Sequence, residues 1–538
     1  MRTDIVRTYK DIHSWVGIIS GLALFIAFYA GAITMFEGPL QRWASPPPSL
    51  AAPPSLTDTP SLIAKVLAAH PEAAKGYRVH MRTGPENPAR ISWTTGNRRE
   101  PGATYYAALD ADGGLQVSMQ GPSPVARFID VLHQQVGLPF SHGVAMSIMG
   151  AIALLYAVAL VSGVICLLPS LIKDLFALRL GKNLKRMWLD VHNVLGLFSL
   201  PFHIVMALTS VVFAFHDQFY DAQDAVAAIG RPAAAHPREA HVAPTSGRIL
   251  APAEIARRFE AQMPDFRIQT IEYRTSGPAG TSVRVTGDDP RYGMRGPGFT
   301  FAGVDPHSGA IIEDDYLPGR QNGWFATVSS FFALHFGSFG GTPVRWAYFF
   351  LGLAGAFLFY SGNLLWIESR RRKERKAGAV EQTRATRVLA SLTLGVSLGC
   401  VIGISLTIAA AKWLPEAWSD KAAWHGRIYY ASFLIAVGWA MLRGAPRASA
   451  ELLWGAAIAT AIIPLTSLAG AMGAPAVWNH ADASMLLDLV AMFGAAGMGA
   501  MAIAARRRSM SVPRDSAWAR AGAVRKNGKG AVARSSAS

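Results

Sequence analysis

Eight long apolar runs constrain the fold of this 538-residue chain more than any other feature. A helix that crosses a bilayer needs about 20 predominantly apolar residues. Runs of about that length lie at approximately 13–36, 144–168, 189–214, 345–367, 388–411, 424–442, 452–472 and 484–505. Charged residues make up only 16% of the chain, which is too few to coat a water-soluble surface of this size. The sequence therefore predicts a polytopic α-helical membrane protein with about eight transmembrane helices.

Basic residues cluster between the apolar runs and predict the orientation of the spans. Clusters precede span one, separate spans two and three, follow span four, separate spans six and seven, and follow span eight. With eight spans, all of these clusters fall on one side of the membrane, which the positive-inside rule identifies as cytoplasmic. Both termini are therefore predicted to be cytoplasmic. The net charge of +16 then belongs to the cytoplasmic loops, and no nucleic-acid partner is predicted.

Two long segments, 37–143 and 215–344, remain on the opposite face of the membrane. Each shows a helical pattern followed by short strand-like runs, and we expect two small α+β modules. The expected elements are a helix at 61–70 with strands at 77–83, 89–95 and 104–109, and a helix at 251–262 with strands at 266–273, 282–285 and 299–304. The remaining divisions are span one at 1–36, spans two and three with a cytoplasmic loop at 144–214, span four with a basic loop at 345–376, a four-helix membrane extension at 377–508, and a disordered basic tail at 509–538.

The first four spans contain a duplication that places histidines at equivalent positions. His13 opens span one and His192 opens span three, each within a similar apolar motif. His133 and His335, each preceded by leucine, come before spans two and four. A Ser-Gly pair then falls late in both of those spans, at Ser162-Gly163 and Ser361-Gly362. Spans five to eight do not continue this repeat, so we interpret them as an appended bundle.

Histidines near the membrane are a functional-site hypothesis because ionisable groups are costly there. His192 and His203 are 11 residues apart, which in a straight helix is about 16–17 Å along nearly the same face. Such stacked imidazoles suit two haems ligated through ring nitrogens. Zinc or copper binds the same side chains, but these histidines lack the short spacing of a compact site. The predicted cofactor ligands, as axial ligands of haem iron, are His13, His133, His192, His203 and His335.

At these residues the chain resembles the PepSY-associated transmembrane-helix family, which includes iron-regulated inner-membrane proteins and siderophore-linked ferric reductases. The matching segments begin at His13, Leu132, Trp188, Pro201, Leu334 and Ser361, and the resemblance covers about residues 1–375. It implies PepSY-like periplasmic modules, the inner membrane of a Gram-negative bacterium, and bound haem b. It further implies electron transfer across the membrane to a periplasmic Fe(III)-siderophore. The four C-terminal spans depart from the short four-helix members of that family.

Neither a G-x-G-x-x-G motif between a strand and a helix nor a P-loop occurs, so we expect a separate electron donor, either a cytoplasmic flavoprotein or quinol. Two ligand-pairing schemes stay open. The first scheme pairs His13 with His192 and His133 with His335. The second scheme makes His203 a ligand of the haem nearer the periplasm. No catalytic residue is assigned. Two other functions remain as alternatives: a non-redox scaffold or peptidase regulator, and a siderophore or metal transporter.

Overall fold

The computed structural model describes residues 3–519 apart from 46–49, 86, 96–101, 121–123, 172–178, 180–182, 217, 219–246, 276–279, 295–299, 379–380, 415–419, 475–476, 479–480 and 514. The start of the strand expected at 299–304 and the tail beyond residue 519 lie outside the described residues. The helices are α1 (Thr3–Thr34), α2 (Glu37–Trp43), α3 (Thr59–Ala69), α4 (Pro124–Gln135), α5 (His142–Leu167), α6 (Leu184–Phe198), α7 (Leu200–Ala214), α8 (Pro252–Gln262), α9 (Gly323–Phe336), α10 (Gly341–Lys376), α11 (Arg384–Ala410), α12 (Lys421–Arg443), α13 (Ala445–Ala471) and α14 (Ala481–Ser511).

Six helices within the described part of the chain are long and apolar enough to cross a membrane, namely α1, α5, α10, α11, α13 and α14. The pair α6 and α7 adds a seventh candidate if it counts as one span. Helix α12 lies where the sixth span was predicted and has 23 residues, but it is not among the six that are also sufficiently apolar. The protein is therefore a multi-pass membrane protein, and the count of eight spans stays a prediction.

The third predicted span is broken, so the prediction of one straight helix over 189–214 is wrong. Helices α6 and α7 meet at Ser199 with a bend of 70°. Pro201 lies in the first turn of α7, where its missing N–H is tolerated, whereas inside a continuous helix it would remove one hydrogen bond and clash with the preceding turn. His192 and His203 consequently do not share one face of a single helix.

The two units outside the membrane share one antiparallel sheet instead of standing apart. Its strands are β1 (Tyr77–His80), β2 (Ile91–Thr94), β3 (Thr104–Leu109), β4 (Leu115–Gln120), β5 (Arg267–Thr275), β6 (Thr281–Asp288), β7 (Phe301–Val304) and β8 (Ile311–Glu313). Their order is β4-β3-β2-β1-β5-β6-β7-β8. The two units join where β1 pairs with β5, with Val79 opposite Ile271. This pairing satisfies two strand edges that would otherwise be open.

Each unit covers its half of the sheet with the helix that precedes its strands. In the first unit, Leu62 and Val66 of α3 pack on Ile91 and Trp93. In the second, Ile255 and Phe259 of α8 belong to the core that contains Val79, Ile271 and Val285. The helix-then-strands order predicted from the sequence is present in both units, and β4 and β8 were not predicted.

The membrane helices of the two halves pack against each other around α1. Helix α1 lies against α5 of its own half and α10 of the other half, while α7 packs on α5 and α6 on α10. Close approach of α1 and α10 depends on small residues, because a Cβ at Gly352 would lie 3.0 Å from the Cβ of Ala32. The extension formed by α11–α14 packs on α1 and on α4, with Cys400, Ile404 and Tyr429 in their shared core.

The segment after α14 is packed on the protein, so the prediction that disorder begins at residue 509 is wrong for the described residues up to 519. Helix α14 continues to Ser511. Beyond it, Asp515 forms an ion pair with Arg371 at 2.8 Å, and the Ala517 amide donates to the side chain of Gln382 at 2.8 Å. Ala517 is 5% exposed. This segment therefore fixes the end of α10 to the start of the extension.

Candidate functional site

The structure brings four of the five predicted histidines together as two pairs. The ring centres of His13 and His192 are 6.1 Å apart, and we call these residues the inner pair. The ring centres of His133 and His335 are also 6.1 Å apart, and these residues form the outer pair, at the end of the bundle nearest the sheet. This arrangement matches the pairing scheme based on the duplication.

The inner pair is held through the Nδ1 atom of each ring. In His13 it donates to the Ala159 carbonyl of α5 at 2.8 Å. In His192 it lies 3.2 Å from Oγ of Ser361. Because that hydroxyl already donates to the Leu358 carbonyl at 2.8 Å, it accepts the hydrogen bond from His192. Both rings therefore carry the proton on Nδ1 and a lone pair on Nε2, which is the arrangement of a metal-ligating histidine.

The outer pair is also held through the Nδ1 atom of each ring, by partners on α1 and α7. His133 lies on α4, and its Nδ1 donates to the Ala27 carbonyl of α1 at 2.8 Å. His335 lies on α9, with Nδ1 2.8 Å from Oγ1 of Thr209 in α7. Since the Thr209 hydroxyl donates to the Val205 carbonyl at 2.7 Å, it also acts as the acceptor for the ring. The four paired histidines thus present Nε2 for a ligand.

Glycines make room for three of these rings. A Cβ added at Gly31 would lie 2.7 Å from Nδ1 of His133, and one added at Gly163 would lie 2.9 Å from Cε1 of His13. At Gly362 the added Cβ would lie 3.3 Å from Cε1 of His192. Gly163 and Gly362 are the glycines of the duplicated Ser-Gly pairs, so the repeat supplies both a polar partner and space for the inner pair.

His203 lies apart from both pairs, among aromatic side chains. It is fully buried on α7, and its Nδ1 lies 2.5 Å from Oη of Tyr156. Within the part of the chain that the structure describes, its Nε2 has no hydrogen-bond partner. The ring contacts Phe28 at a centre-to-centre distance of 5.5 Å and Phe359 at 6.3 Å. A buried nitrogen without a partner is costly, so this atom is a further candidate for a ligand or a bound water.

A cavity opens beside the outer pair. Both His133 and His335 line it, together with aromatic side chains from the bundle. Glu37 and Asp130 also line it. Two carboxylates thus lie in a cavity whose other lining residues are mostly apolar or aromatic.

The residues present fit bis-histidine ligation of haem. His13 with His192, and His133 with His335, would each hold one haem through Nε2, and the 6.1 Å between ring centres leaves room for one metal ion between the rings. The Nδ1 hydrogen bonds leave Nε2 as the nitrogen that can ligate a metal. The glycines lack a Cβ that would clash with the imidazole rings. Among the described residues, no three His, Cys, Asp or Glu side chains form a metal-ion group.

Three residues with a role at the site were missed by the sequence reasoning. Tyr156 and Thr209 each hydrogen-bond a histidine, yet nothing in their sequence neighbourhoods marks them. Asp190 lies on α6 two residues before His192, is 2% exposed, and forms ion pairs with Arg179 and Arg186. A buried carboxylate beside a predicted ligand was the one available signal.

A comparison with known protein families identifies the family of this chain. A family model described as the PepSY-associated TM region matches residues 11–369, about two thirds of the chain. The match includes the five histidines and both units of the sheet, and it ends before α11. No curated protein matches the chain.

Proposed function

This chain belongs to the PepSY-associated transmembrane family, and from that premise we propose that it is a haem-b-containing reductase of the bacterial inner membrane. It passes electrons across the membrane to a periplasmic Fe(III)-siderophore and releases Fe(II). The observation that carries this proposal is the presence of two histidine pairs with the same 6.1 Å separation of ring centres. Each pair would hold one haem through the Nε2 atoms of its two histidines, and the haem would supply one-electron transfer.

The two pairs lie at different depths of one helix bundle. His13 and the Ala27 carbonyl, which accepts from His133, are 14 residues apart on α1, about 21 Å at the rise of an α-helix. Phe28, Tyr156 and Phe359 occupy the interval, with neighbouring ring centres 5.1 to 5.7 Å apart. Haem bound with two histidines carries single electrons and leaves no open position for oxygen.

The side chains of the protein position and tune the two sites. Each Nδ1 hydrogen bond fixes the orientation of a ring and increases the basicity of its Nε2. The buried aromatic rings keep the interval between the pairs apolar. In this proposal an acceptor reaches the outer pair through the cavity that His133 and His335 line. One electron per iron converts Fe(III) into Fe(II), which binds hard oxygen ligands less tightly.

The electron donor is a separate molecule in this proposal, either a cytoplasmic flavoprotein or quinol. It reaches the inner pair from the cytoplasmic side, where the termini and the basic loops lie. Both halves of the duplication have the same orientation, because their strands belong to one sheet. The inner histidines of the two halves therefore face the same side of the membrane.

The first experiment is a visible spectrum of the purified full chain, as isolated and after reduction with dithionite, with a pyridine haemochrome assay. We expect a sharp reduced α-band and close to two haems b per chain. His13→Ala and His133→Ala are each expected to lose one haem, whereas His142→Ala, outside both pairs, serves as the matched control. Protein that stays colourless when made with ample haem would refute the proposal and favour the scaffold function.

The broken third span favours a second candidate, a transporter for a siderophore or metal. Discontinuous helices often form the substrate sites of transporters, and α6 and α7 are bent by 70°. Proteoliposomes distinguish the two functions. A reductase reduces an external ferric chelate when an internal donor is present, and a transporter accumulates the chelate without any reductant.

A further inference from the structure

We propose that the C-terminal extension holds the helix that presents His133, with Tyr429 as the positioning residue. His133 is then the fixed member of the outer pair, and His335 is the movable member. The inference rests on the proposed function only where it concerns haem. It gives a role to helices α11–α14, which lie beyond the segment that matches the family.

Helix α4 is enclosed between α1 and the extension. Four of its side chains are at most 1% exposed, and they belong to the core that contains Cys400, Ile404 and Tyr429. These four residues are Val125, Ala126, Ile129 and Leu132. His133 follows directly and bonds to α1. The ligand therefore lies on a helix that is packed from both sides.

Tyr429 contacts α4 at the end that carries His133. The tyrosine is 1% exposed, and its ring centre lies 5.5 Å from that of Phe128. A Cβ added at Gly137 would lie 3.6 Å from Oη of Tyr429 and equally far from Cδ2 of Leu132. The tyrosine thus packs against the turn that ends α4, within a few residues of the ligand.

That turn has a strained backbone. Val136 has φ of +48°, the only positive value at a non-glycine position in the described residues, and Gly137 follows with φ of +71°. A β-branched residue adopts this conformation only where its surroundings impose it. The close packing of Tyr429 against Gly137 supplies such surroundings, which connects the extension to the orientation of α4.

Helix α9, which is the counterpart of α4 in the duplication, is less buried than α4. In α9, only Ser329 and Ala333 are buried, while Trp324 is 55% and Phe336 49% exposed. The ring of His335 bonds to α7, and the Leu334 carbonyl accepts from Tyr348 of α10. Because α4 and α9 occupy equivalent places in the repeat, their difference in burial comes from the extension.

Hydrogen–deuterium exchange of the full chain in detergent tests the inference without requiring haem. Peptides covering 124–135 are expected to exchange on the order of tenfold more slowly than peptides covering 323–336. Tyr429→Ala should remove this difference, and Tyr429→Phe, which keeps the ring, should preserve it. If Tyr429→Ala is not recovered folded, Phe128→Ala removes the same contact from the side of α4.

Phe433→Ala is the matched control. Phe433 lies one turn further along α12, stacks on Tyr429 with ring centres 5.8 Å apart, and packs on α11 near Gly399. Its removal weakens the extension but leaves the contact between Tyr429 and α4, so α4 should stay protected. Equal exchange of α4 and α9 in the unchanged protein, or equal loss of protection in both variants, would overturn the inference.

Haem provides the second readout. Tyr429→Ala should lower occupancy or shift the midpoint potential of the outer centre, identified as the one lost in His133→Ala, while the inner centre keeps its potential. Tyr429→Phe should restore the outer centre. An outer centre with unchanged occupancy and unchanged potential in Tyr429→Ala would contradict the positioning role. A colourless unchanged protein would instead refute the proposed function and leave the exchange test valid.

Discussion

Gly31→Ala gives the most direct test of the outer site, because the added methyl group meets the predicted ligand itself. The new Cβ would lie 2.7 Å from Nδ1 of His133, whereas ordinary contact begins at 3.4 Å. The ring must therefore retreat by about 0.7 Å. Movement away from α1 lengthens the 2.8 Å hydrogen bond to the Ala27 carbonyl to about 3.5 Å, the limit for such a bond.

The change lowers the stability of the fold somewhat, but its main effect is expected at the haem site. Losing the hydrogen bond costs about 0.5–1.5 kcal/mol, and the overpacking costs about 1–3 kcal/mol. The higher helix propensity of alanine relative to glycine offsets up to about 1 kcal/mol of this loss in folding free energy. Loss of a hydrogen bond to a metal-ligating histidine typically lowers metal affinity on the order of 10- to 100-fold. We therefore expect folded protein with weakened haem binding at the outer site.

The assay is a haem titration of the purified protein, followed by a haemochrome measurement and a redox titration. Gly31→Ala should retain about one haem per chain at limiting haem, with the potential of the inner centre unchanged. Gly17→Ala is the matched control on the same helix, because its added Cβ meets nothing within 4 Å. Two fully bound haems with unchanged potentials in Gly31→Ala would refute the placement of a ligand at His133.

Three further predictions concern other parts of the molecule. Gly163→Ala, whose Cβ would lie 2.9 Å from Cε1 of His13, should weaken the inner centre alone; a change in the outer potential would contradict this. His203→Ala should keep both haems, as counted by haemochrome, and loss of one would favour the scheme with His203 as a ligand. Burial, and then nearby arginines, lower the pKa of His80 to about 4. Its protonation therefore opposes folding, so stability decreases by roughly 3 kcal/mol as the pH falls from about 6.5 to 4. His80→Gln should lose that part of the pH dependence in denaturant titrations, and an identical pH profile would exclude this role.

The pairing of equivalent histidines was one of the two schemes that the sequence left open, and it follows from the sequence repeat. When two halves carry the same residues in the same order, equivalent side chains meet across the pseudo-symmetric interface. The Ser-Gly pairs of spans two and four followed the same logic, and both serines lie beside inner histidines. The segmentation into membrane helices and strands was also local information, since it depends on runs of apolar residues and on their alternation.

Other features depend on contacts that no local pattern encodes. The pairing of β1 with β5 joins residues about 190 positions apart, and its register is set by the complete sheet. Tyr156 and Thr209 became partners of histidines only through the packing of α5, α7 and α9. The break at Ser199 was different, because Pro201 was visible in the sequence and its effect on a helix is known. The break was not predicted because residues 189–214 were assigned as one span from their length and apolar composition alone.

The hydrogen bonds and the ring contacts of the four paired histidines divide between the halves in a consistent way. Each ring is anchored within its own half: α1 and α4 use partners on α5 and α1, and α6 and α9 use partners on α10 and α7. Each pair, however, joins one histidine from each half. The orientation of each ring is therefore set by contacts within one half. The 6.1 Å separation of the ring centres is set by how the two halves pack against each other. Because α1 and α10 form the main contact between the halves, a change in that interface alters both sites together, whereas a change at one glycine alters only one.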